Sequence, residues 1–467
     1  MNKVNFVERA DIGLGDAPLQ KNLSIFRNFS PLARAKTLAR MDNVEQLRAW
    51  TKDRKNFSLD NLADLLEQFE SEVTKIGGQV HWAEATGDLN QIVIDICQQQ
   101  QAKKIVKGKS MVSEEAQLTH ALIDAGFDTL ETDLGEYIIQ LAEEPPSHII
   151  GPAIHKTFEQ VVELFERHHP LGERDLPDAK AVMFEARQLL REKFLEADIG
   201  ITGANYLIAE SGTVGLVTNE GNGDLCSSLP KTHIVVTSID KIVPDFDTAM
   251  AVQRLLVPSA TAQDITCYTS FYTGPKRTDD ADGPENFHVV LLDNKRSDIL
   301  QSKYKDILRC IRCSACLNHC PIYTRTGGHA YGDVYPGPMG SVWTPLLNGL
   351  ENNHDLPNAC TTCNRCAEVC PMEIPLPDML RDLRRDEQQA GLQPKRWTLG
   401  MKISMWLFRR PTLFRWTTKL TARFLKHRAM NTNAVKHLPV NNGWMEVRDF
   451  PAPEGDTFFE RLKKQRK

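Results

Sequence analysis

The chain has 467 residues, of which 41% are hydrophobic and 25% charged, and its formal net charge is −5. These values suit a soluble globular protein of two or three domains and exclude a globally basic nucleic-acid binder. No run reaches the ~18 apolar residues of a membrane span, and the opening MNKVNFVERADIGLGDAP has no signal-peptide core. A cytoplasmic location is expected, where thiols stay reduced.

Residues 1–75 read as charged helices with Leu62, Leu65, Leu66 and Phe69 on one face. They form a packing extension without evident chemistry. From 76 to 300, short β-rich runs alternate with amphipathic helices. QVHWA, KKIVKG, DTLETD, SHIIGPAI, ADIGIT, TVGLVT, KTHIVVT and HVVLLD are the expected strands. Helices are expected over EEAQLTHALIDAG, LGEYIIQLA, TFEQVVELFERHH and 180–197. Such alternation predicts a mostly parallel sheet covered on both faces.

Two stretches of this α/β region are candidates for a ligand pocket. Lys107, Lys109 and Ser110 stand at a strand-to-helix junction suited to a carboxylate or phosphate. The junction lacks the Walker and dinucleotide fingerprints, and its other reading is a solvated basic turn. The glycine-broken stretch 197–236 offers Glu210, Ser211, Thr213, Asn219, Glu220, Asn222 and Asp224. The other reading is that the glycines only shape turns and the polar residues only decorate loops. His148, His155, His168 and His169 have no metal-ligand spacing. Cys97, Cys226 and Cys267 read as buried thiols. GPKRTDDADGPENF (274–287) reads as a disordered-looking loop, and KRSDILQSKYKDILR as a helix running into the next region.

That region, 301–390, carries the strongest signal. Cys310-x2-Cys313-x2-Cys316-x3-Cys320-Pro321 recurs as Cys360-x2-Cys363-x2-Cys366-x3-Cys370-Pro371. A short loop can aim three sulfurs at one cubane, and the fourth cysteine then leads away to the other cluster. The expected ligand sets are Cys310, Cys313, Cys316 and Cys370 for one [4Fe–4S] cluster, and Cys360, Cys363, Cys366 and Cys320 for the second. Structural zinc instead takes two paired ligand motifs, and nothing suggests a secreted disulfide framework. The long connection between the motifs is helix-like, which points to an α-helical ferredoxin module. His319, His329 and Arg365 lie near the clusters in sequence, where they tune potential or face water. In the last region, 391–467, basic residues interleave with Trp397, Trp406, Phe408, Phe414, Trp416 and Phe424, with no Asp or Glu between Gln388 and Met445. Two readings stay open for this helical tail: a lid packed on the cluster region, or a docking face for an anionic membrane or an acidic partner.

The twin cysteine motifs follow ITGANYLIAESGTVGLVTNEGNGDL and SFYTGPKRTDD. That order, over the whole chain, resembles the lactate-utilisation protein B (LutB/YkgF) family of iron–sulfur electron-transport proteins. The resemblance implies a LUD domain of sugar isomerase/CoA-transferase-like fold, with the eight cysteines as ligands. It also implies action with a cysteine-rich-domain protein and a second LUD-domain protein in oxidising L-lactate to pyruvate. Three functions remain: an electron-transfer subunit reaching a membrane quinone pool, a subunit that itself oxidises a 2-hydroxy acid, and a cluster-based redox sensor.

Overall fold

The computed structural model describes residues 5–172, 174–429, 434–435, 448–453 and 456–466. It falls into two compact units, 1–387 and 388–467.

Four helices open the first unit, at Phe6–Gly15, Ala17–Leu38, Val44–Asp60 and Leu62–Lys75. Asn5 and Asp16 cap the first two, their side chains accepting from the N–H groups of Glu8 and Leu19. The fourth buries Leu62, Leu65, Leu66, Phe69 and Val73 in a core shared with Val235, Val289 and Leu291. Burying such side chains contributes roughly 1.5–3 kcal/mol each, so this extension is part of the fold.

The central sheet uses β1 (Gln79–Ala83), β2 (Lys104–Lys107), β3 (Asp128–Glu131), β4 (Ile199–Thr202), β7 (Thr232–Ser238) and β10 (Asn286–Leu292). Its order is β1-β10-β7-β4-β2-β3, and every pairing is parallel. Every residue of β7 is buried, as expected for a strand covered on both faces. Gly200 of β4 lets the helix Asn222–Ser228 pack directly on the sheet. A Cβ there would meet the Cys226 carbonyl oxygen at 1.6 Å.

Several elements depart from the sequence-based expectation. TVGLVT belongs to a second, mixed sheet, made of β5 (Tyr206–Ile208), β6 (Thr213–Thr218), β8 (Ile242–Val243) and β9 (Tyr268–Tyr272) in the order β8-β5-β6-β9. Gly215 of β6 lies against the Tyr206 ring, which a Cβ would strike at 1.9 Å. SHIIGPAI is a turn: Ser147 N–H donates to Pro152 O (3.0 Å), and His148 Nδ1 accepts from the N–H groups of Ile150 and Gly151. The helix over EEAQLTHALIDAG breaks at Gln117, whose φ is 52°. The helix expected before Cys310 is two pieces, Arg296–Leu300 and a 3-10 turn at Lys305–Arg309. Between them the Ser302 hydroxyl bonds to Ile299 O and to Tyr304 N–H, replacing helical backbone bonds. The 274–287 loop is closed by Lys276 N–H to Pro284 O and Arg277 N–H to Asp280.

From 301 to 389 the described residues form only helices and turns. Their core is continuous with the α/β region: Trp343, Tyr323 and Leu308 belong to one cluster with Tyr206, Leu255 and Leu256. A buried polar chain reinforces the join. Arg296 donates to Asp240 (2.8 Å) and to Glu115 (2.7 Å), which also accepts from the Tyr335 hydroxyl (2.6 Å).

In the second unit, the helices Lys395–Phe408 and Pro411–Arg428 precede a pairing of Ala434–Val435 with Phe450–Pro451 and the helix Phe458–Gln465. Trp397, Trp406, Phe408 and Trp416 are exposed. Arg410 stacks over Trp406 at 4.0 Å, and Lys419 pairs with Glu460 at 2.6 Å. Part of the basic stretch, residues 430–433 and 436–447, lies outside the described residues. Among the described residues, no helix is long and apolar enough to cross a membrane.

Candidate iron–sulfur site and adjoining cavity

The two cysteine motifs share one backbone design. A 3-10 turn leads into the first cysteine of each, and a short helix begins after the second, at Ala315–Asn318 and Arg365–Val369. The residues flanking the second cysteine are left-handed in both: Arg312 and Ser314 at φ 59°, Thr362 at 57° and Asn364 at 63°. For a β-branched residue such as Thr362 this conformation is strained. It turns the loop sharply enough to point three sulfurs inward.

Two small cavities result. Cys310, Cys313, Cys316 and Cys370 line one, with Met339 and Ile374. Cys320, Cys360, Cys363 and Cys366 line the other, with Tyr331 and Asn364. No group of three or more His, Cys, Asp or Glu side chains among the described residues is placed to hold a single metal ion. Four soft thiols spread around a void suit a multi-iron cluster instead. Burial pushes the Cys313 thiol up to about 12, helped by the Cys370 charge, and Cys366 likewise to about 12, helped by Cys360. Iron would take the place of the proton, since a coordinating thiol is deprotonated outright. Thr362 N–H donates to Cys360 Sγ (3.2 Å), and Ile374 N–H to Cys370 Sγ (3.4 Å). Arg34 donates to Val369 O and Arg48 to Cys370 O, both at 2.8 Å, so the N-terminal helices bring cations to the first quartet.

A cavity of about 400 Å³ opens beyond the first quartet, at the carboxyl ends of β2, β4 and β7. Lys109, Ser110 and Asn222 line it, as do Asn219 and Glu220. The remaining sequence candidates do not. Lys107 is fully buried and paired with Glu131 (2.8 Å) and Glu114 (3.1 Å). Burial alone would lower its pKa, but these carboxylates raise it, and no face is left for a ligand. Glu210 accepts from Phe246 N–H, and Ser211 donates to Thr213. Glu210 and Ser211 lie in the 3-10 turn joining β5 to β6 and Thr213 begins β6, and none of the three lines the cavity. Asp224 accepts from Ser270 and Tyr272. Ser110 is partly committed, donating to Val236 O and capping Ser113.

The candidate histidines are dispersed, apart from His155 and His329, whose rings meet edge-on at 4.6 Å. His148 bonds Asn318, His155 bonds Glu144, and His169 bonds Tyr137 and Glu185. His319 bonds Ala315 O and His329 bonds Pro145 O, while Arg365 is exposed and paired with Glu368. Cys97 and Cys226 are buried, but Cys267 is exposed, because it sits in the turn leading into the outer strand β9. Thr237, Lys241 and Arg312 also line the cavity. Thr237 and Lys241 lie four residues apart at the end of β7, Arg312 is distant from both, and none belongs to a recognised motif, apart from Arg312 standing inside the first cysteine loop.

Comparison with known proteins decides the family. Residues 66–292 match the LUD domain, 306–374 the 4Fe-4S dicluster domain, and 385–467 the C-terminal region of lactate utilisation protein B. Lactate utilization protein B of Bacillus licheniformis is 39% identical over 99% of this chain and 97% of its own length. The chain belongs to the lactate utilisation protein B family. Its Geobacillus thermodenitrificans relative of the same name is 42% identical over 92% of this chain and 91% of that one. The Escherichia coli protein named uncharacterized electron transport protein YkgF is 40% identical over 91% and 90%. A solved DUF162 family protein from Deinococcus radiodurans aligns with 50% of this chain and 98% of its own at 17% identity and a TM-score of 0.29. That likeness is too slight to bear on the fold.

Proposed function

We propose that this member of the family is the iron–sulfur electron-transfer subunit of a multiprotein L-lactate-oxidising system. The observation that carries the reading is the pair of four-thiol cavities. In it, Cys310, Cys313, Cys316 and Cys370 hold one [4Fe–4S] cluster, and Cys320, Cys360, Cys363 and Cys366 hold the second. The helical setting of both motifs supports an α-helical ferredoxin module after a LUD domain of sugar isomerase/CoA-transferase-like type. When bound, each cluster supplies a one-electron redox couple.

The chain's own residues set the conditions around those centres. Buried Cys313 and Cys370 keep water from the first site, and Arg34 and Arg48 offset negative charge there. Exposed Cys363 brings the second site to the surface. The sequence has no flavin or nicotinamide fingerprint, so the two-electron step from hydroxy acid to keto acid is assigned to partners, a cysteine-rich-domain protein and a second LUD-domain protein. The basic, aromatic helices of 391–467 would meet an acidic partner or the inner face of the membrane, where quinone is reduced. The division 1–75, 76–300, 301–390 and 391–467 is the functional one in this reading.

The test is anaerobic purification of the full chain. We expect about eight iron and eight sulfide per chain, and two EPR signals after chemical reduction. L-Lactate should reduce the clusters only when the partner proteins are added. One cluster or none would overturn the assignment.

A further inference from the structure

The 400 Å³ cavity and the first cysteine cavity share a wall, because Ile311 and Arg312 line both. Arg312 is buried, with its guanidinium over the rings of Trp343 (4.3 Å) and Tyr335 (5.0 Å). Neither of its terminal nitrogens, Nη1 and Nη2, has a hydrogen-bond partner among the described residues. A buried cationic donor without an acceptor is unfavourable. Thr237 Oγ1, fully buried at the end of β7, is also unpartnered.

Lys241 lines the same cavity without a hydrogen bond or close ion pair among the described residues. Glu115 and Asp240 Oδ1 are already engaged by Arg296, which leaves Asp240 Oδ2 as the one nearby carboxylate oxygen without a hydrogen-bond partner among the described residues. Lys55 is held by the carbonyls of Asp240 and Ile242. Arg312 and Lys241 both line this wall, and Asp240, which does not line the cavity, offsets only part of their charge. Asp133 and Glu220 line the cavity too, with Asp133 capping the helix Leu134–Ala142 and Glu220 accepting from Leu134 N–H. They disfavour a polyanion. The rest of the lining is largely apolar, with Val236, Leu256, Val257 and Ile311.

We propose that this cavity binds an organic monocarboxylate, its carboxylate set on Arg312 and Lys241 with the Thr237 hydroxyl as a further donor, beside the first cysteine quartet. The inference rests on the electron-transfer reading above, and gives that reading a ligand class. Arg312 would then be a binding residue that is also part of the cluster loop, so occupancy of the cavity changes the environment of the first centre.

The test uses the anaerobically purified full chain, with iron and sulfide measured alongside. Calorimetric titrations with L-lactate, with the longer 2-hydroxy-4-methylpentanoate and with inorganic phosphate should show saturable binding of both carboxylates, the longer one tighter. Thr237→Val and Lys241→Met avoid the cysteine motifs. Lys241→Met should weaken carboxylate binding roughly tenfold or more, and Thr237→Val by less, at unchanged iron content. Bound carboxylate should perturb one of the two EPR signals. The proposal is overturned by absence of carboxylate binding in cluster-replete protein, by phosphate binding as well as carboxylate, or by variants that shift a midpoint potential but leave binding intact. In that last case the cations only balance the charge of the centre. Missing iron in the wild-type chain would instead count against the electron-transfer reading.

Discussion

The two cysteine motifs have the same spacing and nearly the same backbone, yet they sit in different surroundings. The first loop reads Cys-Ile-Arg-Cys and the second Cys-Thr-Thr-Cys. Ile311 and Arg312 are buried and reach the α/β cavity; Thr361 and Thr362 are exposed. Cys313 and Cys370 of the first quartet are buried, whereas Cys363 of the second is exposed. The N-terminal helices lay Arg34 and Arg48 on the first quartet, and Arg365 beside the second faces water. A repeated ligand motif thus makes one inner site and one outer site, which is the arrangement a relay needs to draw electrons from a protected cavity and release them at a surface.

The largest difference should come from the ligands themselves. Cys370→Ser and Cys363→Ser should each remove about half of the iron. Cys370→Ser should also lower the thermal midpoint of the whole first unit, because Cys370 belongs to the core that joins the cluster region to the α/β region. Cys363→Ser should leave that midpoint close to wild type. Equal thermal losses in the two variants would erase the distinction between inner and outer sites.

Exposure predicts the next effect. Under limited ferricyanide or air, the EPR signal lost in Cys363→Ser should be the one that decays first in the wild type, about tenfold faster than the other, since oxidation follows access. Simultaneous decay would mean that both sites are equally open.

The common part of the two motifs was legible in the sequence because cluster chemistry needs those thiols at that spacing. Their difference was not, because it depends on contacts from distant segments. Nothing local to Arg312 marks it as a shared wall; that requires Trp343, Tyr335 and the ends of β4 and β7. Parallel strands such as β7 and β10 were readable as continuous apolar runs. The mixed sheet was not, since β6 looks like any buried strand until Gly215 is seen against Tyr206. Lys107 illustrates the same limit. A lysine at a strand end suggests a ligand contact, but Glu131 and Glu114, brought in by β3 and the helix Met111–Glu115, neutralise it. Lys109, two residues on, does reach the cavity, with its amine on Ile150 O (2.7 Å).

Charge gives a finer test. Arg34 is buried beside Cys313 and Cys370, and its positive charge stabilises the negative charge added on reduction. Arg34→Met should lower the midpoint potential of the first centre by on the order of tens of millivolts and leave the second unmoved. A shift of both potentials would show that the effect spreads through the fold rather than acting at the inner site.

The smallest effect at neutral pH is a pH dependence of the joint around the inner site. His148 is buried against Phe26 and Tyr323, and burial lowers its pKa to about 4, with a further push from Lys109. Its Nδ1 accepts from the N–H groups of Ile150 and Gly151, so the proton sits on Nε2, which donates to Asn318 Oδ1 (2.9 Å). A second proton would have to go on Nδ1, facing two donors. The unfolded chain, with an ordinary histidine pKa near 6.5, takes up that proton earlier than the folded chain does. Stability is therefore fully present above about pH 6.5, declines as pH falls toward 4, and is flat in this term below that, for a loss of about 3 kcal/mol. His233, lowered to about 3 by burial in β7, adds a parallel loss over a wider window. His148→Gln isolates the joint: denaturant titrations should show a shallower fall in stability between pH 6.5 and 4 than in the wild type, with the His233 contribution remaining. An unchanged acid limb would mean that the turn at 147–152 opens before His148 titrates, and that the inner site is less firmly tied to the α/β region than its buried contacts imply.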